Sequence, residues 1–185
     1  MRVIAGELKG RTLAAPAWDG LRPTSDRLRE TLFNVLAPRI RGARMLDGYA
    51  GTGAVGIEAL SRGAVEVVFV ERDRRAVALI EANLARCGLR DRHAIIRSDL
   101  ATVTGLARVA PFDLVFLDPP YGRATLDEAL DAAVALMAPD TLLIIEHARR
   151  DEAPGSYRSL QRTRTLRSGD SALAFYRVAD EEPGA

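Results

Sequence analysis

Arg44-Met45-Leu46-Asp47-Gly48-Tyr49-Ala50-Gly51-Thr52-Gly53-Ala54-Val55-Gly56 is a strand running into a glycine loop and on into a helix. Residues 44–47 read as the strand, 48–53 as the loop and 54–62 as the helix. Gly51, Gly53 and Gly56 satisfy G-x-G-x-x-G, and Glu71 follows 18 residues after Gly53. The same alternation continues outward. Residues 66–71 hold Val67-Val68-Phe69-Val70, an unbroken apolar run expected of a strand buried on both faces. Residues 74–87 read as a helix stopped by Gly88, 94–97 and 112–118 as strands, 126–137 as a helix ended by Pro139, and 141–146 as a fifth strand. Residues 157–166 and 172–178 alternate polar and apolar side chains as an antiparallel hairpin does. Strand–helix alternation demands a Rossmann-like, mostly parallel, doubly wound α/β sheet, here of seven strands with an antiparallel end.

Before this unit, residues 2–5 and 11–15 read as a small β-hairpin around Lys9-Gly10. A loop over 16–23 follows, then a helix over 25–36 closed by Pro38 and Gly42. The expected organisation is an extension over 1–42, a sheet domain over 43–179 and a disordered acidic tail over 180–185.

The 185 residues (20.1 kDa) are 48% hydrophobic and 28% charged, a globular balance that excludes a disordered chain. No apolar run approaches the roughly 18 residues a membrane helix needs, and Arg2 and Glu7 come too early for a signal-peptide core. Cys87 is the single cysteine, which excludes an internal disulfide and suits a reducing cytoplasm. With His93 and His147 far apart, a structural zinc site is not expected. The net charge of +1 hides segregation: +5 over residues 1–44, −5 over 45–146, +4 over 147–179 and −3 in Asp180-Glu181-Glu182. Lys9 is the only lysine; arginine suits bidentate phosphate contacts, although a codon bias gives the same excess. Basic ends around an acidic centre fit a polyanion held beside a separately bound small molecule.

Ligands of such sheets sit beyond the carboxyl ends of the strands. There the chain places Asp47, Glu71, Ser98-Asp99 and Asp118-Pro119-Pro120-Tyr121 in turn. Glu71 suits ribose hydroxyls, as in NAD sites. Asp47 at the loop entrance would repel a pyrophosphate but attract an ammonium, which tilts the cofactor toward S-adenosylmethionine (AdoMet). Asp99 suits an adenine amine or, nearly as well, a helix N-cap before Leu100. In the quartet the prolines fix the backbone, so that the Asp118 carboxylate and the Pro119 carbonyl can accept both hydrogens of a planar exocyclic amine. That pairing aims the nitrogen lone pair at an electrophilic methyl, and Tyr121 offers a ring to stack on the base. Cys87, His93, His147 and Trp18 read as packing or capping residues.

These features resemble the class I AdoMet-dependent methyltransferases, and the quartet is similar to that of enzymes methylating exocyclic amines. The run Leu21-Arg22-Pro23-Thr24-Ser25-Asp26-Arg27-Leu28-Arg29-Glu30-Thr31-Leu32-Phe33-Asn34 resembles the signature of the RsmD family, the bacterial 16S rRNA guanine-N2 methyltransferases. Arg2-Val3-Ile4-Ala5-Gly6 and Ile57-Glu58-Ala59-Leu60-Ser61-Arg62 fit the same family. The resemblance implies methyl transfer to N2 of one guanine of 16S rRNA, in an assembled or assembling small subunit, by a monomeric cytoplasmic enzyme without metal. It further implies that Asp47, Ala50, Gly51, Gly53, Glu71 and Asp99 line the AdoMet pocket. Asp118, Pro119, Pro120 and Tyr121 would hold the guanine, and Arg22, Thr24, Asp26 and Arg27 would border the substrate entrance. Gly48-Tyr49 departs from the family's usual Leu-Phe-like pair, and a looser loop is expected there. The rivals are adenine-N6 or glutamine methylation, an NAD-dependent oxidoreductase suggested by Gly51–Gly56 alone, and a non-catalytic RNA-binding module.

Overall fold

The computed structural model describes residues 1–18, 24–103, 105–106 and 110–179. Arg22 and the acidic tail lie outside the described residues. The chain divides into two compact units, Met1–Val103 and Thr104–Ala185.

The first unit holds helices α1 (Asp26–Ile40), α2 (Ala54–Ser61) and α3 (Arg74–Cys87). Its strands β1 (Arg44–Gly48), β2 (Glu66–Glu71) and β3 (His93–Arg97) run in the order β3-β2-β1. All three are parallel, with Met45 beside Val67 and Val68 beside Ala94. Val67, Val68, Phe69 and Val70 are all buried, as an apolar run covered on both faces should be. Leu28, Leu32, Phe33, Leu36 and Ile40 form the buried stripe of α1, and Ile80, Leu84 and Cys87 that of α3. Gly88 ends α3 in the left-handed conformation.

The second unit holds β4 (Leu114–Leu117), α4 (Arg123–Val134), β5 (Leu142–Ala148), β6 (Ser156–Tyr157), β7 (Leu160–Ser168) and β8 (Ser171–Val178). Its strand order is β4-β5-β8-β7-β6. β4 and β5 are parallel, whereas β8 joins β5 antiparallel and continues into the β7–β8 hairpin. β5 is buried along its whole length, and Leu126, Ala129, Leu130 and Ala133 form the buried face of α4.

Several boundaries differ from the periodicity. α1 continues through Pro38 to Ile40. A proline in the last turn forfeits a single amide bond, which the burial of Leu36 and Ile40 outweighs. α4 begins three residues earlier than its apolar stripe suggests, at Arg123 after Gly122, and Thr125 Oγ1 in its first turn donates to the carbonyls of Pro120 (2.5 Å) and Gly122 (2.8 Å). The two-residue β6 adds an eighth strand to the seven expected. The expected N-terminal hairpin is present but short: Arg2 bridges Thr12, the Val3 and Leu13 amides donate to Arg11 O and Met1 O (both 3.0 Å), and the Gly10 amide donates to Val3 O (2.9 Å). Side chains of the unit dock it. The Ile4 and Ala5 amides donate to the Glu58 carboxylate (2.7 and 3.0 Å), and the Leu8 amide donates to Ser61 Oγ (3.0 Å). Asn83 accepts from the Ala14 amide (2.7 Å) and donates to the carbonyls of Ala14 and Thr52 (3.2 and 3.0 Å).

Candidate active site

The predicted site residues fall into both units. The cofactor set and the α1 residues lie in Met1–Val103, the quartet in Thr104–Ala185.

In the first unit the glycine loop joins β1 to α2. The Ala50 amide donates to Val70 O (3.0 Å), and the Gly53 amide closes a turn on Ala50 O (2.8 Å). Gly53 precedes α2 at φ 74, a conformation that costs a residue with a Cβ about 1–2 kcal/mol. At Gly56 a Cβ would overlap the Phe69 ring and stand 2.8 Å from Val67 Cγ1, so the third glycine serves the packing of α2 on β2. The departure Gly48-Tyr49 places its strain on the tyrosine, which takes φ 58, while Gly48 ends β1 buried.

Glu71, at the carboxyl end of β2, accepts from the Gly51 amide through Oε2 (2.9 Å) and from the Asp73 amide through Oε1 (2.8 Å). Asp47 is fully buried, and its Oδ2 accepts from the Gly56 amide in the first turn of α2 (2.8 Å). Burial is the main cause that pushes its carboxyl up to about 8. The Gly56 amide works against that rise, and the neighbouring Glu71 charge adds to it. Asp99 accepts from the Ala101 amide (3.0 Å) and pairs with Arg72 (3.1 Å); it caps a turn, and no helix starts at Leu100 as the helix-cap alternative required. Glu71 sets a carboxylate on the glycine loop, and Asp47 beside it keeps its proton toward pH 8. A carboxylate there disfavours a pyrophosphate and fits a ligand carrying a sulfonium and an ammonium. AdoMet meets that requirement.

At the start of α1, Ser25 caps the helix by accepting from the Leu28 amide (3.2 Å). Arg27 is exposed, and Thr24 is half-buried just before the cap. Asp26 pairs with Arg29 (2.6 Å), whose guanidinium is fully buried and also donates to Arg2 O (2.9 Å). Arg29 and Glu58 escaped the sequence reading as site-building residues. Glu58 also accepts from Arg62 Nε (2.7 Å) and lies 3.9 Å from Arg29 Nη1. Its signal was present: one carboxylate inside the apolar run Ala54–Ser61 has to be buried and paired.

In the second unit Asp118-Pro119-Pro120-Tyr121 follows β4 directly. Asp118 is half-buried, Pro119 buried and Pro120 exposed. Tyr121 is 40% exposed, and its hydroxyl is held by Ser171 Oγ (2.7 Å) and donates to Glu146 Oε1 (3.5 Å). An exposed ring fixed at its far end is a surface prepared for stacking. Glu146, at the end of β5, is buried and was not singled out from the sequence.

The remaining candidates have local roles. Cys87 is buried, and burial raises its thiol above the ordinary range. Trp18 lies under the Arg75 guanidinium at 4.9 Å. His93 Nδ1 lies 2.9 Å from Asp91 O, and His147 is buried with Nδ1 2.9 Å from Ala148 O. Among the described residues no helix is long and apolar enough to cross a membrane.

Residues 1–177 match the model of a family described as conserved hypothetical protein 95. The Bacillus subtilis (strain 168) protein YlbH is 37% identical over 181 residues, covering 96% of this chain and 98% of that one. The ribosomal RNA small subunit methyltransferase D of Escherichia coli (strain K12) is 43% identical over 131 residues, 71% of this chain and 65% of the relative's length. Among solved structures, the Escherichia coli protein YhhF superposes with a TM-score of 0.83 at 34% identity, covering 98% of this chain and 99% of that one.

Proposed function

The chain belongs to the family described as conserved hypothetical protein 95, the RsmD family, and from that premise we propose that it transfers a methyl group from AdoMet to the exocyclic N2 of a guanine in 16S rRNA. The enzyme is an AdoMet-dependent rRNA methyltransferase, and its substrate is RNA of the small ribosomal subunit. The observation that carries the reading is the quartet Asp118–Tyr121 set at the end of β4 with the Tyr121 hydroxyl anchored.

When bound, AdoMet supplies a methyl made electrophilic by its sulfonium. On this reading Glu71 and the loop from Ala50 to Gly53 hold the nucleoside, Asp99 meets its base, and Asp47 fixes the loop by capping α2. The Asp118 carboxylate and the Pro119 carbonyl accept the two amine hydrogens of guanine and hold its lone pair in line. Asp118 also balances the positive charge that grows on N2, and the N2 proton leaves to Asp118 or to water. Electrostatic and positional terms of this type are worth several kcal/mol of barrier. Pro120 stiffens the turn, and Tyr121 stacks on a base taken out of its helix. Thr24, Asp26 and Arg27 border the entrance, and exposed arginines such as Arg27, Arg164 and Arg167 contact phosphates. The monomer works in the cytoplasm on an assembled or assembling small subunit.

The test is transfer of radiolabel from AdoMet to small subunits prepared from a strain lacking this activity, with digestion to nucleosides. N2-methylguanosine from the wild type, lost in Asp118→Ala, is the expected result. Label recovered as N6-methyladenosine, or none in RNA despite AdoMet binding, overturns it.

A further inference from the structure

β4 and β5 are parallel and in register up to Leu117 beside Ile145. Continuing that register by one residue sets Asp118 beside Glu146 at the carboxyl ends of neighbouring strands. Partners in register on parallel strands project to the same face of a sheet. Glu146 is 4% exposed, and the Tyr121 hydroxyl donates to its Oε1 at 3.5 Å. A buried carboxylate thus stands next to the group that takes the amine and touches the ring on which the base stacks. The phenol takes one of the roughly four lone-pair directions that a carboxylate offers.

We propose that Glu146 reads the base: its carboxylate accepts the N1–H of guanine while Asp118 holds the N2 amine. This rests on the reaction proposed above and adds the residue that selects the base. The two donors lie side by side on guanine's Watson–Crick edge, as the two carboxylates do along the strand ends. Adenine presents a lone pair at N1 beside its amine, and a carboxylate there repels it. Sites built to bond a particular N–H reject analogues lacking it by large factors, because the buried partner is left unpaired.

The experiment uses small subunits reconstituted with 16S rRNA that carries, at the guanine methylated by the wild type, either guanine or 2-aminopurine. 2-Aminopurine keeps the exocyclic amine but has a lone pair at N1. Single-turnover transfer from radiolabelled AdoMet is measured on both. The wild type is expected to prefer guanine on the order of 100-fold or more. Glu146→Gln, whose carboxamide donates to that lone pair, should lower the preference at least about tenfold. Tyr121→Phe, which removes only the tether, should leave the preference as it is even where both rates fall. A wild-type preference below about threefold overturns the proposal without any variant. Equal slowing of both substrates by Glu146→Gln overturns it too, since Glu146 would then merely position Tyr121. Absence of N2-methylguanosine from the guanine-bearing particle is the distinct signature of failure of the reaction itself, and the base-reading role falls with it.

Discussion

Asp47→Asn should stabilise the ligand-free protein in alkali. Asp47 is fully buried, and its carboxyl is pushed from the ordinary 3.8 to about 8, chiefly by loss of water. The folded protein therefore keeps a proton that the unfolded chain has already released. Stability from this group is complete below pH 3.8 and is lost as pH rises toward about 8. That interval spans about four pH units at about 1.4 kcal/mol each, a total on the order of 5 kcal/mol. Asparagine keeps the acceptor for the Gly56 amide, which now lies 2.8 Å from Asp47 Oδ2, and carries no charge to bury. Urea unfolding of both proteins without AdoMet, at pH 5.5, 7 and 9, gives the comparison. The variant should gain relative to the wild type by roughly 3 kcal/mol from the lowest to the highest pH, with equal m-values. Stability curves that run parallel across this range would refute the argument, because they would mean that Asp47 ionises in the folded protein as it does in water.

Two further outcomes follow from packing. Gly56→Ala should cost about 1–3 kcal/mol in urea unfolding, since the fully buried Phe69 ring cannot leave the path of a new methyl; a change under about 0.5 kcal/mol would show that α2 rides freely on β2. Glu58→Gln should cost about 1–3 kcal/mol, because at least one of the Ile4, Ala5 and Arg62 donors then faces an amide NH₂, while Arg29 keeps its pairing with Asp26. Trypsin should then cut faster after Lys9 and Arg11, and an unchanged digestion rate would show that the segment is held by other contacts.

Much of the site was legible as local chemistry. Asp47, Gly51, Gly53 and Glu71 stand where a strand ends and a glycine loop begins, and strand ends are marked by apolar runs such as Val67–Val70. The prolines of Asp118–Tyr121 likewise declare a fixed turn from composition alone. What these carboxylates bind within the protein was not legible. Asp47 grips the Gly56 amide and Asp99 the Ala101 amide and Arg72, and those partners depend on how loop and helix close. Charge on a buried carboxylate is likewise a property of its surroundings, so sequence gives no sign that Asp47 holds its proton toward pH 8.

The N-terminal segment shows the same division. Its two short runs around Lys9-Gly10 read as a hairpin, and the Val3 and Leu13 amides do pair across it. What docks that hairpin was not legible: Glu58, Ser61 and Asn83, more than 50 residues away in sequence, accept the Ile4, Ala5, Leu8 and Ala14 amides. In the second unit the sequence carries Glu146 as one more polar residue after Leu142–Ile145. Only the register of β4 on β5, which ends with Leu117 beside Ile145, carries it to the strand end that Asp118 follows, and only the path of the chain after Pro120 brings Tyr121 to it. Periodicity and turn chemistry act over a few residues, so the sequence by itself determined strands, helices, glycine loop and quartet. Hydrogen bonds between distant residues and the removal of water exist only in the assembled fold, so the tertiary structure alone decided which carboxylates are buried and which amides they hold.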